Sequence, residues 1–419
     1  MDVLETPKFI SKNMKMVSYH DLDGRPGFKL AMQQVGDRWY LYMGHFWHRG
    51  WTIMDVTDPY KPELLKFVQG PDNTWTLQVN VADGLMVTAL ERIFGVPGRD
   101  HLWGGDHSKP FAEGVMIWDV RSNPADPKLL HHYKLGDFGT HRNGYFGGKY
   151  LYLTAMAPGF HQKFLVILDI SDPENPVEVS RWWYPGQHLA GGEKPEYLMY
   201  FHGPAYPVGD DLDNPKRLYL PYGRAGMIIL DVEDIRNPKM IGRVDIGDFG
   251  SVIGVHTVVP LPERNLAIMT TEAILEQERD PLNMVLLVDV SDETKPKPIS
   301  SFPIPIPPEE LGLKDFQDKG GKFGPHNIHM PHFQKCLAPI GNIIHACYES
   351  AGLWLYDISN PGVPVPVAYF IPEDPKVRRG PLPHELATQT EDVLVDARGY
   401  IYITDKNHGL FILRHEPEE

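Results

Sequence analysis

Histidines are the first sign of chemistry in this sequence, because they recur in similar short contexts far apart along the chain. Five follow the pattern: His141 in GTHRN, His202 in YFHGP, His256 in GVHTV, His326 in GPHNI and His384 in GPLPHEL. Neutral imidazoles that converge on one point bind borderline transition metals, whereas a hard ion such as Ca²⁺ prefers oxygen ligands. If the fold brings these side chains together, we expect them to hold Fe(II), with Mn, Zn or Cu as alternatives.

The segment GPHNIHMPHF, residues 324–333, places His326, His329 and His332 within seven positions. Such clustering is unfavourable unless the rings find hydrogen-bond partners or a metal, because protonated rings repel one another. His326 follows a proline, as His384 does, and this favours His326 as a ligand. His329 is the alternative ligand, or else a group that faces the substrate, and His332 is typical of a loop.

A repeated unit indicates where these histidines lie. An apolar run that ends in aspartate, then a proline-containing turn and a second apolar run, occurs in WTIMDVTDPYKPELLKF (51–67) and again in LVILDISDPENPVEVSRWW (165–183). The aspartates of the six full copies are Asp55, Asp119, Asp169, Asp231, Asp289 and Asp357, and a shorter seventh copy has Arg414 in that position. Two more strand-like segments precede each run, so each unit predicts four antiparallel strands. The sequence therefore predicts an all-β fold, a single seven-bladed β-propeller over residues 1–419.

The two ends of the chain indicate how such a propeller would close. The last copy stops after its third strand, and residues 8–22 resemble the missing fourth strand. We expect this N-terminal strand to complete the last blade and so remove an open sheet edge. Residues 91–114 lengthen the second unit, and a long loop of this kind over the functional face is typical of a lid. His101 and His107 lie in this loop, where histidines are usually solvated.

Counting back from the repeat position puts the histidines in register. The ligand candidates lie 28 to 33 residues before it, and they are His141, His202, His256, His326 and His384. His329 shares the offset of His141, the second unit offers only Gln78, and the first unit has no matching histidine. The first strand of each propeller blade lines the central channel. The register therefore predicts a mononuclear metal site on the propeller axis.

The ends of the second strands should reach the same face of the propeller. Charged residues there are Glu91, Arg224, Glu272, Glu349 and Asp405, and the first unit has His45 and His48 instead. Such groups would orient metal-bound imidazoles or act as general acid or base. Glu272 and Glu349 are preferred because they share units with His256 and His326. Together with Arg224 and His329 they form the predicted catalytic set.

The runs LVILD, IILD and LLVD resemble the LVIVD-repeat β-propeller family, and the resemblance covers nearly the whole chain. It implies a propeller fold, which hosts many activities. A looser resemblance to the selenium-binding protein and methanethiol oxidase propellers implies a metal-dependent, histidine-rich site. Because the chain has no matching cysteine motif, that activity is not carried over. The four-histidine ring of carotenoid-cleavage oxygenases is an analogous geometry, although the motifs of that family are absent here.

Composition restricts the partners. The net charge of −15 disfavours nucleic acid and anionic membranes, and no apolar stretch is long enough to span a membrane. The two cysteines cannot form a disulfide framework, and the N-terminus does not resemble a secretory signal. We expect a cytoplasmic protein that acts on a small molecule, and the sequence leaves its oligomeric state open.

Three functions remain open at this point. The first is an oxygen-dependent oxidoreductase or dioxygenase that acts at the histidine-ligated metal. Its substrate would be a small organic molecule, with aromatic compounds included. The second is a metal-dependent lyase or hydrolase, such as a lactonase, with the metal as Lewis acid and a glutamate as acid or base. The third is an interaction scaffold without catalysis, in which the histidines are structural.

Overall fold

Each repeat aspartate ends a strand and caps the turn that follows. The Asp169 Oδ1 atom accepts the backbone N–H of Ser171 at 2.8 Å, and the corresponding atom of Asp357 accepts that of Ser359 at 2.7 Å. The side chains of four other repeat aspartates also accept the backbone N–H of the residue two positions further on: Asp55, Asp119, Asp231 and Asp289. An aspartate that bonds the backbone two residues on favours a tight turn. The repeat therefore encodes strand–turn–strand hairpins.

The computed structural model describes residues 6–93, 104–192, 200–246, 252–276 and 283–417. Two strands come first, β1 (Phe9–Lys12) and β2 (Met14–His20). One sheet follows with β3 (Gly27–Val35), β4 (Arg38–His45), β5 (Gly50–Asp55) and β6 (Glu63–Gln69). The next sheet joins two four-strand units and contains β7 (Thr74–Trp75), β8 (Val79–Ala82), β9 (Leu85–Arg92), β10 (Gly114–Asp119), β11 (Lys128–Tyr133), β12 (Gly139–Thr140), β13 (Tyr150–Met156), β14 (Phe164–Asp169) and β15 (Val177–Trp182).

The remaining strands form further four-stranded antiparallel sheets. One contains β16 (Tyr206–Val208), β17 (Arg217–Pro221), β18 (Met227–Asp231) and β19 (Lys239–Val244). Another contains β20 (Val255–Leu261), β21 (Leu266–Thr271), β22 (Val285–Asp289) and β23 (Lys297–Ser301). The last two combine β24 (Ile343–Cys347), β25 (Leu353–Asp357) and β26 (Val365–Pro372) with β1, and β27 (Thr390–Val395), β28 (Tyr400–Asp405) and β29 (Leu410–His415) with β2. Short 3₁₀ turns occur at Leu22–Gly24, Leu189–Gly191, Pro262–Arg264, Glu309–Leu311 and Phe316–Lys319.

The core lies between the faces of successive sheets. In β14 the five apolar residues before Asp169 are all buried, and β5, β18 and β25 show the same pattern. Complete burial of one such side chain stabilises the fold by about 1.5–3 kcal/mol. The innermost strands of different sheets contact one another, since β3 packs against β8 and β27, and β16 packs against β20. This contact brings residues from distant repeats to one central region.

The prediction of an all-β, antiparallel architecture is confirmed. The N-terminal segment divides between two sheets: β1 pairs with β26, and β2 pairs with β29, with Met14 opposite His415. In the predicted lid, residues 94–103, with His101, lie outside the described residues. The adjoining His107 ring bonds the Ile93 carbonyl oxygen at 2.9 Å. Among the described residues, no helix has the length and apolar character needed to cross a membrane.

Candidate metal centre and active site

The innermost strand segments direct one residue each toward a common cavity of about 300 Å³. These residues are Phe28, Gln78, His141, His202, His256, His326 and Glu391. Local bulges explain the orientation of several of them. His256 is the unpaired residue between the Val255–Thr271 and Thr257–Thr270 pairs. A bulge of this kind re-aims a side chain out of the regular alternation of a strand.

The same irregularity recurs in two other units. Glu391 is the unpaired residue between Thr390, opposite Asp405, and Asp392, opposite Thr404. His326 and its neighbour Asn327 both bond the Cys347 backbone, each at 2.9 Å. Because these units share one local geometry, their side chains reach the cavity at the same depth. Glu391 is therefore the structural counterpart of His256 and His326.

Four of the histidines form a continuous row of rings. The ring centroids lie 5.0 Å apart between His141 and His202, 4.5 Å between His202 and His256, and 4.7 Å between His256 and His326. The last three are at most 5% exposed. The structure thus brings together four of the five predicted metal ligands, although they come from four different repeats.

Three of these rings are anchored through Nδ1. His141 Nδ1 donates to the Glu91 carboxylate at 2.5 Å, and Glu91 also faces Lys163 Nζ at 2.9 Å. His326 Nδ1 donates to the Glu391 carbonyl oxygen at 2.7 Å. An imidazole held through Nδ1 has a fixed tautomer, with its Nε2 lone pair available to a metal. Glu91 acts as such an orienting group, in line with its predicted position beside the site.

The His256 ring is oriented in the same way by Thr257. Its Nδ1 atom lies 2.8 Å from Thr257 Oγ1 and 3.2 Å from Arg142 NH1. That guanidinium nitrogen donates its two hydrogens to the carbonyl oxygens of Gly203 at 2.7 Å and His256 at 2.6 Å. The Thr257 hydroxyl can accept Nδ1–H, and in that tautomer the His256 Nε2 atom keeps its lone pair for a metal.

The Glu272 carboxylate lies where the Nε2 atoms converge. Its Oε2 atom is 3.4 Å from His256 Nε2 and 3.7 Å from His202 Nε2, and its Oε1 atom is 3.7 Å from His326 Nε2. These separations are long for hydrogen bonds. Ligand atoms held at 2.0–2.2 Å around a tetrahedral metal are about 3.4 Å apart. Two groups of side chains in the described part of the chain have potential ligand atoms that all lie within 4.8 Å of one another. They are His202, His256 and Glu272, and Glu272, His326 and Glu349.

Burial keeps the imidazoles neutral, the state in which they bind a metal, and it acts in the opposite direction on the Glu272 carboxylate. Desolvation and neighbouring cationic groups hold the pKa values of His202, His256 and His326 well below the usual range, so the rings are neutral. Burial raises the pKa of Glu272, although Lys322 opposes the shift. Glu272 Oε2 and His202 Nδ1 have no hydrogen-bond partner among the described residues. A buried carboxylate oxygen without a partner is costly, and a cation at this point would remove that cost.

A second charged cluster lies beside the first. Lys406 Nζ is 3.2 Å from the Glu349 carboxylate and also contacts the Glu391 carboxylate, and all three side chains are buried. Burial and the nearby Glu349 raise the pKa of Glu391 to about 8. Burial alone would lower the pKa of Lys406, but the two carboxylates raise it, so the ammonium stays protonated. Glu349, like Glu272, follows a second strand, as the sequence register predicts.

Four predicted site residues do not line this cavity. Glu349 is buried beside it and contacts Lys406, whereas the other three lie elsewhere. Both ring nitrogens of His329 are held by the backbone, Nε2 by the Ala338 carbonyl at 2.8 Å and Nδ1 by the Val395 N–H at 3.1 Å. The His384 side chain is 82% exposed. It lies in the loop between β26 and β27, so counting back from Arg414 reaches that loop instead of a strand. Arg224 is half-buried and does not line the cavity.

Other histidines and acids have structural roles. His45 Nδ1 lies 2.9 Å from the Pro26 carbonyl oxygen, and its Nε2 lies 2.7 Å from Thr52 Oγ1. Asp405 accepts the backbone N–H groups of Asn407 and His408 and so caps a turn. His332 is buried, with its ring packed edge-on against Phe146.

The sequence register missed several residues that line the cavity, namely Arg142, Lys163, Lys322, Glu391 and Lys406. A signal existed for two of them. Glu391 directly precedes the strand run DVLV, and Lys406 directly follows Asp405, at the end of the second strand. Counting from the second strand of the last unit would have selected Glu391 in place of His384. No comparable pattern marks Lys322.

Comparison with known protein families gives a match over one repeat. Residues 147–182, which include β13 and β14, match the LVIVD repeat family. This chain carries an LVIVD repeat. The sequence resemblance to LVIVD-repeat propellers is therefore confirmed. No curated protein matches this chain.

Similar solved structures agree with the repeat. They include a chain from the crystal structure of the mitotic checkpoint complex, with 9% identity, a TM-score of 0.56, and coverage of 98% of this chain and 91% of that chain. Sqt1 of Saccharomyces cerevisiae has 8% identity, a TM-score of 0.54, and coverage of 96% and 98%. The periplasmic gluconolactonase PpgL of Pseudomonas aeruginosa has 10% identity, a TM-score of 0.56, and coverage of 91% and 98%. At such identities the likeness shows a propeller-like fold alone.

Proposed function

We propose that the protein is an enzyme that depends on a divalent metal ion held by His202, His256, His326 and Glu272. The proposed scaffold is a seven-bladed β-propeller, closed by the pairing of β2 with β29, with the ion near its axis. One observation carries the proposal: three imidazole Nε2 atoms converge at 3.4 to 3.7 Å from a single buried carboxylate. The three rings are neutral, and the Nδ1 atoms of His256 and His326 are anchored, which supports the same conclusion.

Three nitrogens and one carboxylate oxygen suit several first-row metals. Fe(II), the ion expected from the sequence, accepts this donor set, and so do Mn(II), Zn(II) and Cu(II). Ca²⁺ and Mg²⁺ prefer shells made of oxygen. The cavity beyond the ligands gives a small-molecule substrate access to the remaining coordination positions, and its size is near the lower end of the usual range for ligand pockets.

The charged groups around this centre favour Lewis-acid catalysis of a hydrolase, lactonase or lyase reaction. A bound ion would polarise a substrate carbonyl or activate water. Glu391 lines the cavity beside His326, and its carboxylate contacts Lys406. A carboxylate in this position can take a proton from the nucleophile and return it to the leaving group. The Glu349 carboxylate, on the other side of Lys406, helps hold that ammonium in place.

Oxygen-dependent oxidation of a small organic molecule is a second candidate. The His141 ring, 5.0 Å from that of His202, offers a fourth imidazole at the edge of the centre. A nitrogen-rich shell with an open position suits a redox-active ion that also binds O₂. The aromatic residues Phe28, Phe46 and Trp75 line the same cavity and would accommodate an apolar substrate. For both candidate functions the proposed substrate is a small molecule. We also propose a cytoplasmic location.

Metal analysis of matched variants tests the proposal. Protein purified without chelators or nickel resin is expected to carry about one transition-metal ion per chain, as a single closed donor set predicts. His256→Ala and Glu272→Gln should lose most of this metal, whereas His384→Ala, at an exposed histidine, should keep it. Circular dichroism confirms that each variant is folded. Two results would contradict the proposal and favour a non-catalytic interaction scaffold. In one, the wild type binds no metal after incubation with Fe(II), Mn(II) or Zn(II). In the other, all variants hold equal amounts of metal.

The identity of the ion separates the two chemistries. Zinc or manganese, with hydrolysis of model lactones and esters but without oxygen uptake, is expected for the Lewis-acid enzyme. Iron or copper, with substrate-dependent oxygen consumption in an electrode cell, would support oxidation instead.

A further inference from the structure

Apolar and cationic side chains both line the cavity. Phe28, Phe46 and Trp75 form its aromatic, apolar side, with ring centroids 5.4 Å apart for Phe28 and Phe46 and 5.5 Å apart for Phe46 and Trp75. Leu77, Ile253 and Ile274 also line the cavity. The Phe28 ring also lies 5.8 Å from the His326 ring, which connects the apolar side to the proposed metal centre. A substrate there can place an apolar body against the aromatics while it reaches the ion.

Four cationic side chains also line the cavity, and three of them are engaged by the protein. Arg142 donates to the Gly203 and His256 carbonyl oxygens and to Asn327. Lys163 Nζ lies 2.9 Å from Glu91, and Lys406 binds Glu349 and Glu391. These three cations therefore have counter-charges or carbonyl acceptors of their own.

Lys322 is different. Its side chain is 7% exposed, and within the described part of the chain its nearest acidic atom is Glu272 Oε1 at 3.7 Å, beyond hydrogen-bond distance. Its backbone is fixed on both sides, because the N–H donates to Gln389 Oε1 at 3.0 Å and the carbonyl accepts from Gln389 Nε2 at 3.1 Å. The ammonium thus projects from a rigid backbone into the cavity.

A buried ammonium is unfavourable unless an anion accepts its hydrogen bonds. Glu272 is the nearest acid, but in the proposed metal centre its negative charge is shared with the ion. We infer that Lys322 binds the carboxylate of the substrate, and that the substrate is a small aromatic or apolar carboxylate whose hydrocarbon part lies on Phe28, Phe46 and Trp75. This inference rests on the proposed function. A phosphate monoester, with a charge near −2, fits less well, because only one cation is left for it.

Binding of simple probes tests this inference. Benzoate and its neutral analogue benzamide are titrated into metal-loaded protein by isothermal calorimetry. Benzoate should bind the wild type, and Lys322→Met should weaken benzoate binding by about tenfold or more, the typical effect of losing a hydrogen bond to a charged group. Benzamide binding should be equal in both proteins, and Lys61→Met, at an exposed lysine, should change neither.

Three further measurements complete the test. Acetate should bind more weakly than benzoate, and Trp75→Ala should reduce this difference. Metal content should be unchanged in Lys322→Met, so a loss of anion binding with metal retained supports the inference. The inference is overturned if the wild type does not bind benzoate, or if the wild type and Lys322→Met bind benzoate with equal affinity. It is also overturned if Lys322→Met loses equal affinity for benzoate and for benzamide. If the wild type takes up no metal, the proposed function fails on its own evidence, whereas the benzoate result still decides the role of Lys322.

Discussion

At the scale of single residues, the proposed centre depends on the atoms that hold two of its imidazoles from behind. Thr257 and the Glu391 carbonyl oxygen engage the Nδ1 atoms of His256 and His326, and Glu91 engages that of the neighbouring His141. Such partners orient the rings before any metal binds, so less ordering is needed on binding. The three contacts are chemically different: a hydroxyl, a carbonyl and a carboxylate.

Replacement of one of these partners should weaken the metal site without disrupting the fold. Thr257→Val keeps the shape of the side chain and removes the acceptor at 2.8 Å from His256 Nδ1. We expect metal affinity to fall by about 10- to 100-fold, the usual effect of removing a partner of a ligating histidine. The measurement is competition with a chromophoric chelator.

The chain contains a matched control for this experiment. Thr52 Oγ1 lies 2.7 Å from His45 Nε2, which is an equivalent buried threonine–histidine pair away from the cavity. Thr52→Val should lower stability and leave metal affinity unchanged. Equal losses of affinity in both variants would show that the Thr257 effect is general destabilisation.

At the scale of elements, the sequence predicts some strands far better than others. The third strands follow from an apolar run, a capping aspartate and a proline turn, so β14 and β25 lie where the repeat places them. The innermost strands are irregular and vary in length, and β12 has only two residues. Their bulges and the variable loops before them decide which side chain reaches the cavity. For that reason a count from the third strand selects His326 but reaches His384 instead of Glu391, which only a count from the second strand would have found.

Pairing of the first and last strands is the element-level feature most open to test. β2 pairs with β29, and Ser18 Oγ donates to the Pro59 carbonyl oxygen at 2.6 Å, which ties β2 to the neighbouring sheet. Removal of residues 1–21 would expose the edge of β29, and exposed edges promote aggregation. We expect a lower melting temperature and soluble aggregates in size-exclusion chromatography. Removal of residues 1–5, which precede β1 in the sequence, should be neutral, and equal behaviour of both truncations would contradict this role for β2.

At the scale of the whole molecule, many titratable groups are buried in a chain with a net charge of −15. Several of these groups are neutral histidines outside the proposed centre. Burial lowers the pKa of His45 to about 3 and that of His329 to about 4, although each accepts or donates bonds to the backbone. In the unfolded chain both would titrate at about 6.5. Folding therefore depends on pH through residues that have no role in catalysis.

The sign of this dependence follows from the lowered values. Above pH 6.5 both states are neutral and the stability is complete. As the pH falls toward 4, the unfolded state binds protons that the folded state excludes, so stability is lost. Near pH 5 each such histidine should lower the free energy of unfolding by about 2 kcal/mol relative to neutral pH.

Urea unfolding at pH 7.5 and pH 5 measures this loss. His329→Gln should reduce the difference between the two pH values, because glutamine keeps a donor and an acceptor but does not titrate. His384→Gln, at an exposed site, should leave the difference unchanged. If the free energy of unfolding of His329→Gln falls between pH 7.5 and pH 5 as much as that of the wild type, other groups cause the acid sensitivity.

Anomalous X-ray diffraction from metal-loaded crystals tests the central claim most directly. The proposed centre predicts one strong peak at the metal edge, within about 2.3 Å of the Nε2 atoms of His202, His256 and His326 and of a Glu272 oxygen. The peak should disappear in Glu272→Gln crystals soaked in the same solution. A peak only at surface histidines such as His384, or an ordered cavity in which Glu272 and the three rings hold no ion, would contradict the account.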